Sequence, residues 1–149
     1  MPIGELAVRQ VIVAPRGTAV LDAAKLMRQY HVGDIVITSE TNGRRRPIGI
    51  VTDRDIVLEV LAQGIDAAKL SVDDIMTRDL ITVRESEGVF QTIQLMRAKG
   101  ARRAPVVNEE GVLIGIVSAD DFIDLLAEEL SELAKLISRE QKREAEMRR

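Results

Sequence analysis

Gly49-Ile50-Val51-Thr52-Asp53-Arg54-Asp55-Ile56 returns, changed in detail, as Gly115-Ile116-Val117-Ser118-Ala119-Asp120-Asp121-Phe122. In both stretches an apolar run leads into a hydroxyl residue, and a carboxylate follows three positions later. A strand ending in Thr/Ser-x-x-Asp passes directly into a helix. The hydroxyl of Thr52 or Ser118 accepts from free N–H groups of the first turn, while Asp55 or Asp121 sits at the turn's positive end. On local spacing alone this is a capping box. The same helix start can also offer donors to an anion, with the aspartate left facing a cleft where it accepts from two neighbouring hydroxyls. The repetition brings that second reading into play.

The same order of elements flanks both stretches. Residues 5–14 are extended and end in a short β-branched strand, closed by Pro15-Arg16-Gly17. Thr18 is a candidate cap, and Val20, Ala23, Ala24 and Met27 recur at the spacing of a one-sided helix that ends near Tyr30. Val32 to Thr38 is an apolar strand, and Glu40 to Pro47 is a polar hairpin loop carrying the turn dipeptide Asn42-Gly43. Ile48 to Thr52 returns as a strand. A second helix runs from Asp53 to about Gln63, with Ile56, Val57, Val60 and Leu61 on its buried side and Gly64 as its stop.

Asp74-Ile75-Met76-Thr77-Arg78-Asp79-Leu80-Ile81-Thr82-Val83 then matches the first lead-in, and Ser86 is a candidate cap for a helix marked by Val89, Ile93 and Met96. Ala104 to Val107 is a strand, Asn108 to Gly111 a turn, and Val112 to Ser118 the returning strand. Leu95-Met96-Arg97 lies 69 residues after Leu26-Met27-Arg28, whereas Gly115 lies only 66 after Gly49. The first hairpin is therefore the longer, and its excess falls where Arg44, Arg45 and Arg46 sit.

The chain is thus expected to be of the α/β (α+β) class, two β-α-β-β-α repeats with a C-terminal helix extension. The expected organisation is repeat 1 over 5–64, a linker over 65–74, repeat 2 over 75–130 and a charged helical tail over 131–149. One repeat of roughly 60 residues has a marginal core, so the two should pack about a pseudo-twofold axis and create two related clefts.

Composition narrows the function. Of 149 residues, 46% are hydrophobic and 30% charged, the balance of a globular protein. Aromatics are 2% with no Trp, so the core is aliphatic and nucleic-acid recognition by base stacking has little to work with. A net charge of −3 gives no general attraction to polyanions. With no cysteine and one histidine, His31, disulfides, thiolate metal sites and Cys nucleophiles are excluded. No apolar run approaches the ~20 residues of a membrane helix, and the first residues lack signal-peptide character. No membrane partner, no nucleic-acid partner and a cytoplasmic location are the expectations.

In this order and twice over, the residues resemble a family, the tandem CBS domain pair named after cystathionine β-synthase and known as a Bateman module. The resemblance covers about residues 5–130 and rests on Asp74-Ile75-Met76-Thr77, on Arg102-Arg103-Ala104-Pro105-Val106-Val107, and on Gly-Ile-Val-Thr/Ser-x-x-Asp in each repeat. It implies clefts that hold adenosine-type ligands such as AMP, ADP, ATP or S-adenosylmethionine. By that resemblance, Asp55 and Asp121 would hold ribose hydroxyls, Thr52 and Ser118 would approach phosphate or ribose, and Arg54 would be a phosphate partner, a planar fork suited to phosphate oxygens. Thr82, Arg103, Pro105 and Gly33 complete the implied ligand-binding set; the strand start in each repeat would border the adenine.

The repeats are not equal. Ala119 and Asp120 replace Asp53 and Arg54, and repeat 1 has Gly33-Asp34-Ile35-Val36 where repeat 2 has Arg102-Arg103-Ala104-Pro105. Gly33 still permits close backbone approach, but Asp34 in place of Arg103 should repel a phosphate.

Other residues carry two readings. His31 at a helix end favours the dipole or contacts a ligand; Arg44-Arg45-Arg46 is a solvated loop tip or a contact for a phosphate or an acidic partner. Met27 and Met96 are core residues at equivalent places. Leu126, Leu130, Leu133 and Ile137 are spaced like a short dimer seam, and a homodimer made through helices is expected.

The functional expectation is a non-catalytic regulatory, signal-transducing module, with an adenine nucleotide or S-adenosylmethionine as regulatory ligand and no catalytic cofactor or metal. It would act on a regulated protein that the sequence does not identify. The alternative is a ligand-free scaffold or interaction protein acting through its homodimer surface. An enzyme is disfavoured, because Gly-x-Gly-x-x-Gly and Gly-x4-Gly-Lys-Ser/Thr are both absent.

Overall fold

The computed structural model describes residues 1–77 and 79–148; Arg78, in the second lead-in, and Arg149, at the end of the tail, lie outside the described residues. The chain divides into two compact units, residues 1–117 and residues 118 onward.

In the first unit two continuous apolar runs become central strands. β1 (Val13–Pro15) lies parallel to β2 (Asp34–Thr41), which pairs antiparallel with β3 (Arg44–Thr52). The second sheet repeats that order with β4 (Val83–Arg84), β5 (Arg103–Val107) and β6 (Leu113–Ser118). Ile35, Val36 and Ile37 of β2 and Ala104, Val106 and Val107 of β5 are buried on both faces, as central strands require. Helices α2 (Val20–Tyr30) and α4 (Val89–Lys99) turn Val20, Ala23 and Met27, and Val89 and Met96, inward.

The segments that lead into each repeat dock on the opposite one. A one-turn helix, α1 (Ile3–Leu6), stands where extended chain was expected, with Ile3 fully buried. The Ile3 N–H donates to Glu87 O (2.6 Å) and the Val8 N–H to Ile116 O (2.9 Å), so residues 2–8 bind the second repeat. Their counterparts 69 positions on bind the first: the Val72 N–H donates to Thr18 O (2.8 Å) and the Thr77 N–H to Ile50 O (3.0 Å). Bond for bond, this is the expected pseudo-twofold relation.

The two glycines of the repeated stretch lie beneath these straps. A Cβ on Gly115 would fall 2.9 Å from the Val8 carbonyl oxygen, and one on Gly49 would fall 2.6 Å from Met76 Sδ.

Three local expectations are corrected. The first hairpin is no loop from Glu40 to Pro47: strands continue to Thr41 and from Arg44, joined at Asn42 (φ 54°) and Gly43 (φ 75°). Two successive positive φ values make a tight primed turn whose twist matches the strands. Thr18 and Ser86 are not caps; Thr18 Oγ1 donates to Pro15 O (2.7 Å), Ser86 Oγ to Glu109 Oε1 (3.2 Å), and the capping positions are Ala19 and Gly88. The helix after Thr52 is α only over α3 (Asp53–Ile56) and then widens into a π-helix, Val57–Leu61. Its i→i+5 bonds, such as Ala62 N–H to Val57 O at 2.8 Å, shift the side-chain period. Val60 stays buried, whereas Val57 is 50% and Leu61 73% exposed.

The second unit is α5 (Ala119–Met147), which Ser118 opens as the capping residue.

Overpacking a site walled by backbone costs about 1–3 kcal/mol. Gly115→Ala is therefore expected to lower unfolding free energy in urea by about that amount. Gly49→Ala, which meets a flexible side chain, should cost less and recover in part when combined with Met76→Ala. Changes within about 0.5 kcal/mol of the parent at both glycines would show that the straps do not need them.

Candidate functional site

Helix α4 ends at Gly100, whose φ of 64° suits the left-handed helix stop, and the chain turns straight back into β5. The Thr77–Ile50 bond draws the second lead-in across the end of β3. Between these pieces lies a cavity of about 320 Å³, the lower end of the range for small-molecule sites. Ile50, Leu80, Ile81 and Ala101 are its apolar lining; Thr52, Asp79, Lys99, Arg102 and Arg103 are charged or hydroxyl-bearing. Three cationic residues against one carboxylate favour an anion, and both repeats contribute to the wall.

Arg103 already has a partner. Its Nε lies 2.6 Å from Asp34 Oδ2, so equivalent positions of the two repeats form an ion pair across the pseudo-twofold. Asp34, expected to repel a phosphate, instead neutralises a cavity cation. Burial pushes the Asp34 carboxyl above its ordinary range, outweighing the guanidinium that draws it down, and the nearby Asp53 carboxylate adds to the rise.

The capping reading is realised at both helix starts. The Thr52 N–H donates to Asp55 Oδ2 (2.9 Å) and the Asp55 N–H to Thr52 Oγ1 (3.1 Å). Likewise the Ser118 N–H donates to Asp121 Oδ2 (2.8 Å) and the Asp121 N–H to Ser118 Oγ (3.4 Å). Each carboxylate thus commits one oxygen to a main-chain amide.

Of the residues singled out from sequence, the cavity brings together Thr52 and Arg103. Asp55, Arg54, Gly33, Thr82 and Pro105 are not in its lining. Arg54 is exposed and forms no ion pair among the described residues, Thr82 is exposed beside Ile81, and Pro105 is buried within β5. A Cβ on Gly33 would meet Asp53 Oδ2 at 3.2 Å, and the Asp53 N–H donates to Gly33 O (3.0 Å), so a carboxylate lies against this glycine. Ser118 and Asp121 belong to the second unit. Sequence reasoning passed over Asp79 and Lys99. The available signal was Lys99-Gly100, a helix stop just before the arginine pair.

The basic run also finds partners within the chain. Arg44 pairs with the Glu110 carboxylate, and Arg46 Nη2 donates to Glu110 O (2.9 Å), joining the first hairpin to the Asn108–Gly111 turn. His31 closes α2 in the left-handed region (φ 54°), where repeat 2 has Gly100. Among the described residues no group of three or more His, Cys, Asp or Glu could hold a metal ion, and no helix is long and apolar enough to cross a membrane.

The CBS domain family matches residues 3–62 and 72–128, which takes in both sheets and both straps. The chain belongs to the CBS domain family. A Methanopyrus kandleri protein is 38% identical over 123 residues, 83% of this chain and 61% of that protein, so the chain spans less than two thirds of it. Among solved structures, the CBS domain pair of protein MJ0100 in complex with 5-methylthioadenosine and S-adenosyl-L-methionine aligns with TM-score 0.74 and 26% identity, covering 87% of this chain and 98% of that one. A CBS domain protein from Pyrobaculum aerophilum complexed with AMP aligns with TM-score 0.72 and 29% identity, over 81% and 89%. The CBS pair is thus an architecture in which similar proteins hold adenosine-type small molecules.

A raised Asp34 pKa means that the folded state holds this proton more tightly than the unfolded chain. Its contribution is fully present below the unfolded value of about 3.8 and is lost as pH rises through the folded value. Asp34→Asn is therefore expected to gain on the parent as pH climbs from 3 towards 7, read by urea unfolding across that range. A variant that loses ground over the same climb would show that the ion pair outweighs the burial.

Proposed function

We propose that the chain is a non-catalytic regulatory module that senses an adenosine-type ligand in the cleft between its CBS repeats. The observation carrying this reading is the cavity walled by Thr52 of repeat 1 and Lys99, Arg102 and Arg103 of repeat 2. Its apolar lining suits a base and its cations suit phosphate, and the AMP complex of the Pyrobaculum protein supports the same ligand class. Because Lys99, Arg102 and Arg103 outnumber Asp79 and the Asp34 carboxylate that pairs with Arg103, AMP, ADP or ATP fits the lining better than the sulfonium of S-adenosylmethionine.

Binding changes output only when the ligand prefers one arrangement of the repeats. Arg103 supplies the preference: an anion in the cavity competes with Asp34 for the guanidinium, and release of that ion pair loosens the tie between β2 and β5.

A second reading, an interaction module working through a homodimer surface, is favoured by the exposed Val57, Leu58 and Leu61 on the π-turn.

Calorimetry with AMP, ATP and S-adenosylmethionine tests the sensing role. Saturable binding with a rise in melting temperature is expected for AMP or ATP, weakened about tenfold by Lys99→Ala, the loss of one charge-assisted contact. No heat and no melting shift with any of the three at millimolar concentration would exclude the sensing role and leave the interaction module.

A further inference from the structure

Arg103 faces two ways. Its Nε holds Asp34 Oδ2 at 2.6 Å across the pseudo-twofold, and the same residue lines the cavity. The Arg103 and Asp34 side chains keep only 29% and 24% of their exposure, so the pair is poorly screened by water. A guanidinium has donors to spare but a single charge. A phosphate arriving beside Arg103 therefore sets two anions against one cation in a largely dry setting.

One of the three groups has to give way. Arg103 cannot lose its proton, whereas a carboxylate escapes the repulsion by gaining one. Asp34 is disposed to do so, because burial already lifts its carboxyl above the ordinary range even with the guanidinium in place. Its charged surroundings are Arg103 from β5 and the Asp53 carboxylate from α3, with Lys99, Arg102 and Asp79 around the cavity. Asp53 is tethered at its own helix start, where Oδ1 accepts from the Arg54 N–H (2.8 Å), and stays near Asp34 as a second negative charge. His31, three residues before Asp34, is the remaining titratable group on that segment.

We infer that an anion entering the cavity draws a proton from solvent onto Asp34, so that mild acidity loads the site and neutral pH keeps Arg103 engaged by Asp34. This inference rests on the reading of the cavity as an anion site, and makes its occupancy answer to pH as well as to ligand concentration. Linkage sets the limit: one proton taken up per anion raises affinity by at most about tenfold for each unit fall in pH.

AMP is titrated into the full chain and into Asp34→Asn from about pH 7.5 to about 4.5, spanning the carboxylate and imidazole ranges. The AMP phosphate and His31 are present in both titrations, so the ratio of the two affinities isolates Asp34. Asp34→Asn is expected to bind about fivefold tighter at the upper end, the loss of one partly exposed ionic competitor, with the ratio falling towards one at the lower end. Calorimetry in buffers of different ionisation enthalpy should show the parent taking up more protons than the variant near the middle of the range. Sulfate, a dianion throughout, is the second probe, read as a melting shift against chloride at equal ionic strength. AMP binding with an affinity ratio that does not change with pH overturns this proposal and leaves the adenosine reading standing. The same pH-dependent ratio seen with sulfate but no binding of AMP upholds the proposal and removes the adenosine reading; no response to either anion overturns both.

Discussion

Neither repeat completes its own sheet edge. The chain entering repeat 1 first bonds to repeat 2, through Ile3 and Val8, and the chain entering repeat 2 bonds to repeat 1, through Val72 and Thr77. This exchange satisfies backbone groups that a lone repeat would leave open, and it buries Ile3 and Val72 in positions that exist only when both halves are present. A small α/β unit with a marginal core is thereby tied to its double. The glycines at 49 and 115 follow from the exchange, since a strap crosses each of them within contact distance of any added Cβ.

The cavity is a product of the same exchange. The strap that docks on β3 through Thr77 continues as Asp79, Leu80 and Ile81, which wall the cavity opposite the α4–β5 junction. The pseudo-symmetric positions carry different chemistry: Tyr30 for Lys99, His31 for Gly100, Gly33 for Arg102 and Asp34 for Arg103. Cationic character is therefore concentrated at one junction. The other junction supplies the carboxylate that holds one of those cations, so symmetry in the backbone is paired with asymmetry in charge.

Much of this was legible in the sequence because it rests on local rules. The hydroxyl-to-carboxylate spacing marks both helix starts, and the capping geometry appears at Thr52 and Ser118 alike. The apolar runs mark β2 and β5, and the repeat offset marks the duplication. The strap exchange left no trace, because main-chain hydrogen bonds between distant segments impose no residue pattern. The Asp34–Arg103 pair was hidden for a related reason: the two side chains are equivalent by sequence, and only the pseudo-twofold makes them neighbours. Val57 and Leu61 fit an α-helical stripe, and the widening to a π-turn that exposes them has no apolar signature. Asn42-Gly43 did contain the answer for the basic run, since a two-residue primed turn requires strands on both sides and places Arg44–Arg46 on one of them.

The functional claim is that an adenosine-type anion occupies the junction where the second strap crosses β3. Amide hydrogen exchange of the full chain, with and without AMP, reads that junction directly. Protection should rise over residues 77–81 and 99–103 while residues 8–12, the counterparts of 77–81 in the other half, stay unchanged. Equal protection in both halves, or none at 77–81 and 99–103 with AMP bound, would contradict it.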